Sequence, residues 1–266
     1  MDTELFQNFI NATAEVTNVV DVFNLPFDVI MGSAIMSSTY ALTSTLGILF
    51  MAIYYFIDLE ELALRNQFNI EHFIRNTIKF IIAIIIVNNI GALLQGFNTF
   101  VCAIVDDIPG FQEVALSPVA KQGQNMLTSF EHHPQPLSTI IAGSGQGLYL
   151  VLLFLLNILT RVILWTVSIK RAIDIGVYYA LSPMVCADVF SNGVTGSVRK
   201  MKRMLAAYMQ LPFVVIIMKS GSLIISKITS TNALSMSVFY ITALILFAVN
   251  KTVARSKGEL ETIFSS

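Results

Sequence analysis

Charged residues are scarce in this sequence: they fill 12% of its 266 positions, whereas hydrophobic residues fill 55%. The mean hydropathy is +0.72. Soluble domains usually carry about 25% charged residues, so the composition excludes an ordinary soluble enzyme or binding module. A chain of this length has room for about five or six membrane-spanning helices of about 20 residues each. We therefore expect an all-α, polytopic membrane protein.

Cysteine is limited to Cys102 and Cys186, which lie in different apolar segments and are expected to be free thiols. The sequence lacks a glycine-rich phosphate loop, an HExxH zinc motif and a GxSxG nucleophile elbow. His132 and His133 follow Glu131 in a proline-rich stretch, but adjacent histidines do not converge on a metal. We expect no enzymatic activity, no metal and no cofactor.

No lysine or arginine precedes Arg65, so the basic start of a secretory signal peptide is missing and we expect mature sequence here. Within the N-terminal segment 1–32, residues 3–23 place apolar side chains at helical spacing. This spacing predicts an external amphipathic helix along the membrane surface. The helix lacks a basic face, so docking against protein and contact with lipid are both open.

Five long apolar runs predict five crossings, at 33–57, 78–105, 137–169, 204–225 and 233–249. Residues 33–105 then hold two crossings and a polar cytoplasmic connector, 106–138 an external loop, 139–250 the remaining transmembrane core, and 251–266 a cytoplasmic tail. The amides of Asn88, Asn89 and Gln95 are expected to bond to neighbouring helices, with pore lining as the alternative. Gly143 and Gly147 form a small-xxx-small pair suited to helix packing.

The stretch 170–203 begins with the basic pair Lys170 and Arg171 and ends with four more basic residues: Arg199, Lys200, Lys202 and Arg203. Basic residues concentrate on the cytoplasmic side, so both ends are expected inside. The apolar part, 172–190, is too short to cross and return, and Pro183 is expected to interrupt its helix. This predicts a re-entrant or interfacial helical hairpin in an N-out/C-in topology, with six crossings as the alternative.

Few charges lie inside the apolar runs. Arg161 and Lys219 are expected to snorkel to the nearer membrane face or to form structural pairs. Asp174 follows Lys170 by four residues and Arg171 by three, which favours a local ion pair at least as much as ion coupling.

Four features between Arg161 and Pro212 stand together: a long helix ending in Lys170 and Arg171, ALSP at 180–183, a basic loop at 199–203, and AAYMQLP at 206–212. With the external N-terminus and large outer loop, this arrangement resembles the TrbL-like polytopic inner-membrane subunits of conjugative type IV secretion systems. The resemblance covers about a third of the chain.

The resemblance implies a multi-pass channel or assembly-platform component of the bacterial inner membrane that forms a homo-oligomeric ring. Its implied partners are secretion ATPases, the coupling protein, pilus or core-complex subunits and membrane lipids. It would move DNA or protein, or support pilus assembly.

In such a ring, the cytoplasmic mouth would be lined by basic residues near the Pro183 break: Arg161, Lys170, Arg171, Arg199, Lys200, Lys202 and Arg203. These residues could contact DNA transiently, or only fix the topology and bind anionic lipid. Two alternatives are a membrane immunity or entry-exclusion protein and a small-solute or ion transporter. A transporter would use mid-membrane polar groups: Asn88, Asn89, Asn157 or Gln210.

Overall fold

The computed structural model describes residues 19–64, 70–107, 145–192, 194–231 and 236–265, and within these ranges the chain is helical throughout apart from a few turn residues. Six helices follow one another: α1 (Val19–Met31), α2 (Ala34–Leu64), α3 (Ile70–Asp106), α4 (Gly145–Asn192), α5 (Val194–Thr231) and α6 (Met236–Ser265). The all-α prediction is confirmed for this part of the chain. The external loop at 106–138, Gly143 and most of the amphipathic segment at 3–23 lie outside the described residues.

Three helical stretches among the described residues are long and apolar enough to cross a membrane: α2, α3 and Lys200–Ile228 within α5. Their lengths exceed the hydrocarbon core of about 30 Å at about 1.5 Å per residue. Large apolar side chains such as Ile81, Ile82 and Ile85 stay half-exposed along α3. An apolar surface of this extent is typical of helices that contact lipid. These helices indicate a helical membrane protein.

The helices run past the apolar segments that predicted them. The polar connector expected at 58–77 is largely helical, because α2 continues to Leu64 and α3 begins at Ile70. The basic loop expected at 199–203 is wrong: these residues are helical near the beginning of α5. Lysine, arginine and glutamate are good helix formers, so a fall in hydropathy does not mark a helix end.

The predicted hairpin at 172–190 is also wrong, because α4 is one helix of 48 residues that contains Pro183. A proline removes the backbone donor that would bond to the carbonyl four residues earlier, here Tyr179. The Ser182 hydroxyl donates to that carbonyl at 2.7 Å and replaces the missing bond. Serine side chains make proline tolerable within apolar helices in this way.

The chain divides into two compact units. The first comprises Met1–Asn24, Ile104–Ser168 and Leu211–Ser256. Within it, the Ser168 hydroxyl donates to the Val22 carbonyl at 2.6 Å. At Gly221 the helices α5 and α6 approach closely, because an added Cβ would lie 2.5 Å from a methyl group of Val249.

The second unit comprises Leu25–Ala103, Ile169–Gln210 and Lys257–Ser266. Its core draws on α1, α3, α4 and α5, with these buried members: Phe27, Ile90, Leu94, Ala172, Ile175, Ala207 and Tyr208. A smaller cluster of Met51, Val87 and Ala187 joins α2 to α3 and α4. The polar contacts that follow lie within this second unit.

Candidate functional site: a buried arginine and a polar seam

Arg171 is the most unusual residue of the second unit, because its side chain is only 1% exposed. The neighbouring Lys170 is exposed. Adjacent residues on a helix point in different directions, so the basic pair is divided between the interior and the surface. Burying a charged side chain away from water costs several kcal/mol unless it is well bonded. The contacts of Arg171 therefore decide whether this position is tolerable.

The Arg171 guanidinium connects three helices. Its Nε donates to the Ala207 carbonyl of α5 at 3.2 Å, and its Nη2 donates to Asn98 Oδ1 of α3 at 3.3 Å. Both acceptors are neutral oxygens. Ala206 and Ala207 are fully buried, and small residues allow α5 to approach the arginine closely.

Asn98 belongs to a stripe on one face of α3 that we call the polar seam: Gly91, Gln95, Asn98 and Cys102. The spacing of four, three and four residues places these positions one above another. Both polar atoms of the Asn98 side chain make contacts. Its Oδ1 accepts from Arg171, and its Nδ2 donates to Cys102 Sγ at 3.9 Å. One turn before Asn98, Gln95 Nε2 donates to the Tyr179 hydroxyl of α4 at 3.5 Å.

At the upstream end of the polar seam, the Tyr40 hydroxyl of α2 contacts the backbone of α3. It accepts from the Gly91 amide at 3.0 Å and donates to the Val87 carbonyl at 3.5 Å. These are the two backbone groups that pair in an ordinary α-helix. A Cβ at Gly91 would lie 2.7 Å from the Tyr40 hydroxyl oxygen, so glycine is required for this approach. The Tyr40 ring stacks on Tyr179 with centroids 4.7 Å apart.

The ALSP segment at 180–183 packs against α2. The Thr43 hydroxyl donates to the Ala180 carbonyl in a short hydrogen bond. One turn later, a Cβ at Gly47 would lie 2.9 Å from the Pro183 carbonyl oxygen. Thr43 and Gly47 are thus the two positions of α2 that admit the backbone of α4.

Asp174 pairs with Lys257 of α6 at 2.7 Å, and Lys257 also lies 3.8 Å from Glu261. The predicted local pair with Lys170 or Arg171 is therefore wrong. Arg171 is directed into the core, and a lysine four residues before an acid is the less favourable order for a helical pair. The residues expected to form a cytoplasmic tail, 251–266, are helical up to Ser265, where α6 ends, and Lys257 among them makes this interhelical contact.

The predicted mouth residues differ in burial. Lys200 and Arg203 are exposed and Lys202 is half-buried, whereas Pro183 and Arg171 are buried. Arg161 is half-buried and belongs to the first unit. Arg199 and Gly147 lie in helices, and their surroundings are outside what the structure describes.

The predicted contacts of the α3 amides with neighbouring helices are confirmed only in part. Gln95 bonds to α4, but Asn89 Nδ2 donates to the Ile85 carbonyl of its own helix. Sequence reasoning missed Asn98 and Tyr40. Asn98 is marked by its position seven residues after Gly91 on one helix face, but nothing in the sequence identifies its partner.

Comparison with protein-family models, curated proteins and solved structures finds no match to this chain. The geometry therefore has to be interpreted from its own chemistry. Within the described residues, no group of three or more His, Cys, Asp or Glu side chains is arranged to hold a metal ion. The arrangement fixes α2, α3, α4 and α5 against one another through a buried cation and polar backbone contacts.

Proposed function

We propose that this chain is a subunit of an oligomeric channel or assembly platform of a bacterial type IV secretion system, in the inner membrane. The observation that supports it best is the Arg171 contact with the Ala207 carbonyl. That bond joins the two halves of the segment that resembles TrbL-like proteins, the basic helix end at 170–171 and AAYMQLP at 206–212. Arg171 and Ala207, one residue from each half of that segment, thus pack together within the second unit.

The ALSP segment supports the same proposal. Its first and last residues are the points where α2 meets α4, through Thr43 and Gly47. Three separate sequence features therefore share one structural role, which is to hold four helices in a fixed arrangement. A subunit that must assemble into a ring needs such a rigid core, because its interfaces have to be presented in a constant geometry.

The topology belongs to the proposal as well. Five crossings in the N-out/C-in sense would place the exposed Lys200 and Arg203 on the cytoplasmic side, in agreement with the usual bias of basic residues. In a ring, these residues and Lys202 would surround the cytoplasmic mouth. Arg171 is removed from that set, since its buried side chain orients α5 against α4 instead.

The first test is native mass spectrometry of the full chain, extracted in nanodiscs, with its co-purifying proteins identified in the same sample. A ring of several copies that carries secretion ATPases or pilus subunits supports the proposal. A monomer without such partners contradicts it and moves the assignment to a transporter or an immunity protein.

A second test separates the mouth from the core. Combined replacement of Lys200, Lys202 and Arg203 by glutamine should abolish conjugative transfer while leaving membrane insertion and ring mass unchanged. The matched control replaces Lys251 and Arg255 of α6, which are also exposed basic residues. Wild-type transfer by this combined variant would show that these side chains do not line the passage.

A further inference from the structure

Two cavities in the second unit share one wall. The smaller one has a volume of about 260 Å³ and lies between α3, α4 and α5, with Val177, Cys186, Met201 and Met204 in its lining. The larger one has a volume of about 330 Å³ and extends to Phe50 and Tyr54 of α2. Leu181, Val185 and Lys200 line both cavities. Leu181 and Val185 are one turn apart on α4 and form an apolar ridge between the two spaces.

The lining of both cavities is chiefly aliphatic, aromatic or methionine side chains. An apolar cavity of about 150 Å³ already stays dry and accepts a benzene-sized ligand, so each of these spaces is large enough for a hydrocarbon group. Methionine and leucine linings adapt to flexible apolar ligands. The chemistry of the walls therefore favours hydrocarbon over water or a polar solute.

The linings of the two cavities share one charged residue, Lys200. Lys200 is exposed and is the charged residue common to both linings, while Lys202 and Arg203 follow within the same turn of α5. A cationic point beside two apolar spaces is complementary to an anionic headgroup that carries two hydrocarbon chains. Basic residues at a membrane surface attract anionic lipids with about 1 kcal/mol each.

The geometry points to a binding site for one anionic diacyl phospholipid, with part of an acyl chain in each cavity on either side of the Leu181–Val185 ridge and its phosphate at Lys200. This site is independent of the secretion function and requires only that the protein lie in a membrane. It assigns Lys200 a ligand that Lys170, which is also exposed, does not share.

The first experiment releases the full chain from nanodiscs of equal phosphatidylglycerol and phosphatidylcholine, and counts the retained lipids by native mass spectrometry. The wild-type chain should retain one phosphatidylglycerol. Lys200→Gln should lower the ratio of lipid-bound to lipid-free chain about fivefold, the factor that corresponds to about 1 kcal/mol per basic residue. Lys170→Gln should leave it unchanged. Equal loss in both variants, or equal retention of the two lipids, would overturn the site.

The apolar half of the site has its own variant. Leu181→Trp fills space next to both cavities and should also reduce lipid retention, while Ile173→Trp two turns earlier on the same helix should not. Both positions are partly exposed, at 44% and 51%, so tryptophan is sterically tolerable at each. Unchanged retention in Leu181→Trp would contradict occupation of the cavities by acyl chains.

Cys186 supplies a probe within the smaller cavity, and Cys102 can be removed as Cys102→Ser. In phosphatidylglycerol nanodiscs, N-ethylmaleimide should alkylate Cys186 about fivefold faster in Lys200→Gln than in the otherwise identical parent, as the lipid leaves the cavity. Equal rates would contradict the site. Protection that persists without lipid and rises with protein concentration would instead identify a second copy of the chain as the occupant.

Discussion

Some buried polar side chains of the first unit lack the interhelical bonds that Arg171 and Thr43 make in the second unit. In the second unit, Arg171 and Thr43 each bond to a group on another helix. In the first unit, Thr242 Oγ1 and both polar atoms of the Asn250 side chain on α6 are buried without a hydrogen-bond partner. The bonded groups fix which helices meet and in which register. The unbonded groups carry a desolvation cost and specify no contact.

The largest expected effect comes from removing the acceptor of the buried cation. Asn98→Leu leaves the Arg171 charge in place with one acceptor fewer, and should destabilise the fold by about 3 kcal/mol. Asn89→Leu is the matched control on the same helix, because Asn89 is exposed and bonds only to its own helix. Denaturant unfolding in detergent micelles measures both.

A double variant sharpens this test. Arg171→Met combined with Asn98→Leu removes charge and acceptor together, so its cost should fall below the sum of the two single variants. If Asn98→Leu is no more destabilising than Asn89→Leu, the arginine contact does not hold the helices together.

The next largest change in stability is expected at a glycine position of α2. Gly47→Ala would press a methyl group to 2.9 Å from the Pro183 carbonyl oxygen, which is backbone and cannot move cheaply. We expect a loss of about 2 kcal/mol from overpacking. Gly96→Ala meets nothing within 4 Å and should stabilise the helix by up to about 1 kcal/mol. Thermal unfolding of the two variants should therefore shift in opposite directions, and shifts of the same sign would refute the close approach of α2 and α4.

The comparison of the two units is tested most directly by two threonines. Thr43 and Thr242 are both buried, at 4% and 0% exposure, and valine matches the shape of threonine. Thr43→Val should destabilise by about 0.6–1.7 kcal/mol, the range of interhelical hydrogen bonds in membranes. Thr242→Val removes an unpaired hydroxyl and should stabilise by about 1 kcal/mol. Equal free energies of unfolding for the two variants would show that the hydroxyls of Thr43 and Thr242 do not differ in their contribution to stability.

The smallest effect is expected at the ion pair between α4 and α6. Asp174 and Lys257 are partly exposed, at 26% and 21%, so solvent screens their attraction. Lys257→Gln should cost less than about 1 kcal/mol, and the loss should shrink further at high salt. Lys251→Gln, at an exposed position of the same helix, is the control. A cost above 2 kcal/mol would mean that the pair is effectively shielded from solvent.

The helical membrane class could be predicted because composition reflects the surrounding solvent, and lipid requires long apolar helices. The break at Pro183 was predicted wrongly, since a proline rule cannot anticipate the bond from Ser182 to Tyr179. Lys170 and Arg171 were treated as one basic pair, although adjacent residues on a helix face different surroundings. Their sequence order contains no information about which one is buried.

Contacts distant in sequence were beyond prediction for a different reason. Arg171 and Asn98 are 73 residues apart, and Asp174 and Lys257 are 83 apart. Each of these residues could pair with many others, and only the packing of the helices identifies its partner. The number of crossings and the secretion function stay predictions, because they depend on a bilayer and on partners rather than on contacts within the chain.

The length of α4 limits how this helix can lie in a membrane. A helix of 48 residues is about 70 Å long, whereas a bilayer with its headgroups measures about 45 Å. At any tilt between 0 and about 40°, which is usual for membrane helices, a helix of this length that crosses a bilayer protrudes from it on at least one side.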